Sequence, residues 1–134
     1  MRASTLSFRS AVCLGILGIL MGIAMAAAND HSVMPAHAHL NLVGWVSLFL
    51  IGIFYRFHPA LDASRVALVQ VWIWIGGTII LTVGVAAIYL GHTEYEPVAI
   101  AGSLIVFAAM LVFGFLVFRP ERSENRIGAA SPAE

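Results

Sequence analysis

The chain has no lysine, a single cysteine, and charged side chains at only 10% of its 134 positions. Its seven arginines stand as singlets against seven acidic residues, so the net charge is zero and no basic face is available to a nucleic-acid backbone. DNA and RNA are set aside as partners. Cys13 has no partner for an intramolecular disulfide, and its place in an apolar run reads as a small lipid-facing or packing residue. No phosphate-cradling glycine loop and no nucleophile paired with a base is visible, which removes nucleotide enzymes and hydrolases.

What the chain has in excess is apolar surface: 60% hydrophobic residues and a mean hydropathy of +0.93 describe an integral membrane protein. A helix rises about 1.5 Å per residue and the hydrocarbon core is about 30 Å thick, so one crossing needs roughly 20 apolar residues. Four stretches qualify: Ala11 to Ala28, Pro35 to Phe57, Val66 to Leu90, and Pro97 to Phe118. The expected fold is all-α, a four-helix transmembrane bundle embedded in a lipid bilayer. Pro35 and Pro97 suit the first turn of a helix, where the missing amide hydrogen is not needed. Residues 1–10 read as a short N-terminal segment, and residues 119–134, polar and rich in small side chains, as a disordered tail.

Arg2, Arg9, Arg56, Arg65, Arg119, Arg122 and Arg126 all fall at one end of the spans, whereas the opposite connectors carry Asp30, Glu94 and Glu96. The positive-inside rule then places both termini in the cytoplasm of a bacterial-type inner membrane. The first span, with its basic start and Ala24-Met25-Ala26, also fits a cleavable leader, whose loss would leave the later spans oriented as before. Gly15, Gly18, Gly22 and Ala26 mark a helix contact face on that span, because close packing in lipid needs small residues. Tyr55, Trp72 and Trp74 are expected as interfacial anchors at the arginine end, and Tyr89 and Tyr95 at the other. Trp45, about ten residues past Pro35, lies well inside the bilayer, where its indole N–H needs an acceptor. Glycines on several spans leave faces to cover, so a homo-oligomer or membership of a larger respiratory complex is expected.

The histidines carry the chemical interest. His31, His37, His39 and His92 lie at the end opposite the arginines, and His58 alone lies with them. His37 and His39 stand one turn inside the second span, where an ionisable group is costly unless it pairs, binds a metal or faces a cavity. Neutral imidazole is the form that binds metals, heme iron included. On a regular helix the two rings point roughly 160° apart and cannot share one ion. Asn41 and Gly44 share the face of His37, the first as a hydrogen-bonding partner and the second as a place where a flat ligand lies close. On the third span Thr78, Thr82, Tyr89 and His92 line up. The threonines are expected to bond back to the preceding turn, and His92 stands open between loop residue and ligand. Thr93 and Glu96 have the spacing of a capping box.

The segment HAHLNLVGWVSLFLIGIFYRFHP, His37 to Pro59, resembles small four-span membrane proteins described as cytochrome c oxidase-like, related in appearance to the catalytic subunit of heme-copper oxidases. The resemblance implies a heme b with His37 or His39 as one axial ligand and His92, or a histidine of a second copy, as the other. Asn41, Gly44 and Trp45 would surround it. Electron transfer, or oxygen or nitric oxide chemistry at the outer face, would follow, and any enzyme activity would be that of a heme-dependent oxidoreductase. The chain departs from the large oxidases in lacking their neighbouring histidine pair for copper, and its arginines lie at the wrong end to meet heme propionates. Two other readings stay open from the residues alone. One is a copper or zinc site built from His31, Met34, His37, His39, His92 and Glu94. The other is a structural or assembly subunit whose histidines only hydrogen-bond.

Overall fold

The structure, a computed structural model, describes residues 1–119, and the expected disordered tail lies outside them apart from Arg119. It is all-helical among those residues, with four helices long and apolar enough to cross a membrane: Ala3–Ala28, Met34–Phe57, Arg65–Tyr89, and a fourth whose α-helical part is Glu96–Val117. The protein is a multi-pass membrane protein. The last three helices begin and end within one residue of the apolar limits read from the sequence. The first does not, because it starts at Ala3 instead of Ala11 and absorbs the N-terminal segment. Its 26 residues reach about 39 Å at 1.5 Å each, longer than the hydrocarbon core.

The early start has a local cause. Arg2 offers no side chain to the free amides of the first turn, but Asp62, from the connector between the second and third helices, does. Its carboxylate accepts from the Ser4 backbone N–H at 2.7 Å and from the Ser4 hydroxyl at 2.9 Å, and Asp62 is only 2% exposed. Ser64 caps the third helix in the ordinary way, accepting from the Ala67 N–H. At the opposite end, Asn29 closes the first helix in the left-handed region with φ 50°, and Gly91 turns the chain after the third with φ 97°. In the first connector the Ser32 amide donates to Asp30 and holds its carboxyl below the usual carboxylate range.

Helices adjacent in sequence pack against each other. The first two meet along the glycine stripe. The third and fourth approach backbone to backbone, since a Cβ on Gly84 would collide with Ala99 and one on Gly102 with Leu81. The fourth helix makes its extensive contact with the third and reaches the second through Phe113, edge-on to Phe54 and Tyr55. Its remaining circumference, from Ile100 to Phe115, is exposed apolar surface of the kind a bilayer covers.

Candidate functional site

The second helix is not regular. Met34–His39 and Leu48–Phe57 are α-helical, but Leu40–Ser47 between them forms a π-helix, with hydrogen bonds to the fifth residue on. Two bonds hold this stretch. The Trp74 indole N–H donates to the Val43 carbonyl at 3.0 Å, and the Ser47 hydroxyl donates to the Leu42 carbonyl at 2.7 Å. Trp74 is therefore buried at 1% exposure, not an interfacial anchor, and it takes the role of hydrogen-bonded interior indole that depth alone assigned to Trp45. Trp45 is 42% exposed. Tyr55 is likewise buried, donating to Gln70 Oε1 at 2.9 Å while Gln70 Nε2 donates to the Ala109 carbonyl, a link across three helices. Of the three expected anchors at that end, Trp72 alone is exposed.

The π-helix sets which side chains form a line. Four residues overshoot an α-turn by about 40°, whereas a π-turn holds more than four, so the two drifts oppose each other. His37, Asn41 and Trp45 consequently remain on one stripe, each seated on a glycine of the first helix. The His37 Cε1 lies 3.0 Å from where a Gly22 Cβ would stand, the Asn41 amide fills the space above Gly18, and the Trp45 ring covers Gly15. Asn41 Nδ2 donates to the His37 carbonyl at 2.9 Å and lies 3.3 Å from the His37 Nδ1. Asn41, expected on the face of His37, thus lies against it, with Trp45 on the same stripe. Gly44 faces elsewhere: Leu14 and Thr78 occupy the space above it that a flat ligand would need.

His39 stands apart from that stripe and is half-buried. Its Nδ1 lies 2.7 Å from the Pro35 carbonyl. A carbonyl only accepts, so Nδ1 carries the proton, and in the neutral ring Nε2 is left with a free lone pair. This arrangement, one ring nitrogen donating to a backbone carbonyl and the other open, is how metal-binding imidazoles are oriented.

His92 lies in the connector before the fourth helix, 62% exposed at its side chain, with Nδ1 3.1 Å from Glu94 Oε1. The fourth helix opens from Tyr95 without a side-chain cap, so Thr93 and Glu96 do not form the box their spacing allowed. Met34 is exposed and His31 lies in the first connector. Among the described residues no three histidine, cysteine, aspartate or glutamate side chains come together as a metal-binding group. Thr78 bonds back to the Trp74 carbonyl as expected, but the Thr82 hydroxyl, 9% exposed, has no partner.

Sequence reasoning missed Asp62, Ser4 and Gln70. Gln70 carried a readable signal, an uncharged polar side chain inside an apolar run, whereas the pairing of Asp62 with Ser4 spans 58 positions and leaves none. Compared with known proteins, the chain matches no family model, no curated protein and no solved structure.

Proposed function

We propose that this protein is a b-type heme protein of the bacterial-type inner membrane, both termini cytoplasmic, with His39 as an axial ligand at the outer face. The observation that carries the reading is the bond from His39 Nδ1 to the Pro35 carbonyl, which orients the ring and leaves Nε2 to bind. The residues fit the group on two counts. The ligand sits near the end of a helix, close to water for the propionates. A heme asks for one or two protein ligands, whereas a structural zinc asks for four and a catalytic one for three. That difference favours heme over copper or zinc, since among the described residues three such side chains do not converge.

A bound heme would supply one-electron redox chemistry. The chain's own residues hold it: His39 binds and orients, Pro35 fixes the tautomer, and the stripe of His37, Asn41 and Trp45 locks the second helix to the first so that His39 keeps its direction. A histidine of a second copy of the chain would supply the second ligand, which would make the functional unit a homo-oligomer. Electron transfer follows when both positions are filled, and gas binding when one stays open.

The test is the absorption spectrum of detergent-purified protein from heme-replete cells, oxidised and then dithionite-reduced. Sharp reduced bands are expected, lost in His39→Ala and retained in His37→Ala. A colourless protein, or bands indifferent to His39, overturns the reading, and stoichiometric copper or zinc in the colourless sample would put a metal site in its place.

A further inference from the structure

At the histidine end of the third helix, an open groove of about 530 Å³ runs along one helix face. Val83 and Leu90 bound it, about 10 Å apart at 1.5 Å per residue, and Ala86 and Ala87 form a shallow floor between them. His92, Glu94 and Tyr95 make its rim. We infer that this groove binds an uncharged, lipid-soluble ring alcohol, a quinol, whose hydroxyl donates to Nε2 of His92.

The chemistry of the rim selects the head group. Glu94 only accepts when ionised, so at 3.1 Å it takes the proton on His92 Nδ1, and Nε2 is the nitrogen that accepts when the ring is neutral. The Tyr95 ring stands 6.2 Å from the imidazole at 73°, an aromatic wall beside that acceptor. A phospholipid head would bring a phosphate to this rim, and a phosphate needs cationic partners. None is present, because the connectors at this end hold Asp30, Glu94 and Glu96 and no arginine or lysine. A neutral hydroxyl gains a hydrogen bond here without meeting like charge. The apolar floor takes the ring and the start of its tail, in keeping with ligand sites that are mainly apolar with a few placed polar groups. No step of this binding uses the heme proposed above, so the groove stands independently of it.

The experiment is an anaerobic equilibrium titration of decylubiquinol into the full-length protein in phosphatidylcholine nanodiscs, against empty nanodiscs. It is run on protein from heme-replete and from heme-deprived cells. Saturable binding of one molecule per chain is expected in both preparations. His92→Ala should weaken it roughly tenfold, and Ala87→Phe, which fills the groove from its half-buried lining, should abolish it. Circular dichroism of both variants should match the parent. Partition equal to that of empty nanodiscs in both preparations overturns the proposal, as does affinity unchanged in the two variants. Displacement of the quinol by phosphatidylglycerol also overturns it, since the rim would then be accepting an anionic head. If neither variant keeps its helix content, Tyr95→Leu supplies the same comparison, with unaltered affinity counting against the site.

Discussion

Asp62 accepts two hydrogen bonds from Ser4, one from the backbone N–H at 2.7 Å and one from the hydroxyl at 2.9 Å. A side chain from the connector between the second and third helices thereby caps the first, and ties the arginine end of the molecule together at a site sealed from water. Asp62→Ala should cost about 1 to 3 kcal/mol, because it leaves the Ser4 amide and hydroxyl buried without partners. Ser4→Ala, which keeps the backbone bond, should cost less. Chemical unfolding in mild detergent, followed by circular dichroism, measures both.

The seating of His37, Asn41 and Trp45 on Gly22, Gly18 and Gly15 makes the glycines unequal to others in the chain. Gly18→Ala drives a methyl into the Asn41 amide and should destabilise by about 1 to 3 kcal/mol. Gly76→Ala, with nothing within 4 Å of its new methyl, should be neutral or slightly stabilising. Equal effects of the two in the same unfolding assay would contradict the packing described.

Trp74 and Trp72 differ by two positions and should differ in consequence. Trp74→Phe removes the donor to the Val43 carbonyl and leaves space in the interior, for a loss of about 1 to 2 kcal/mol. Trp72→Phe, at an exposed apolar position, should stay within about 0.5 kcal/mol. A loss at Trp72 matching that at Trp74 would count against the buried indole.

The orientation proposed above is open to a direct chemical test. With Cys13 replaced by Ser, a cysteine placed at Ser32 or Thr93 should react with a membrane-impermeant thiol reagent added outside spheroplasts. One placed at Ala63 should react only after lysis. The reverse pattern would put the histidine end in the cytoplasm and overturn the outer-face assignment.

The four crossings were legible because crossing a membrane imposes a length and a composition, both of which are local. Which way each helix faces was not. The depth of Trp45 along the second helix does not set its rotation, and the indole lies over Gly15 with 42% of it exposed. Trp74, assigned to the interface by its distance from Arg65, faces inward because the third helix turns that side toward Val43. The glycine stripe announced a contact surface without naming its partner. The fourth helix is apolar around most of its circumference, so no periodicity marks the side that meets Leu81. Of the site, the grouping of His37 with Asn41 followed from four-residue spacing, while the open nitrogen of His39 depends on a bond to Pro35 that side-chain identity does not reveal.

The π-helical stretch of the second helix has a consequence for how the chain tolerates changes in length. A turn bonded to the fifth residue takes up one residue more than an α-turn while returning the chain to nearly the same direction. Leu40–Ser47 therefore holds a spare residue, and its removal would let the helix tighten to regular α geometry with Gly22 and Gly52 still opposite their old neighbours. Everywhere else along the four helices, a missing residue swings all that follows by about 100°. Among the described residues, the slack in the thread lies in the second helix, midway between the histidines and the arginine end.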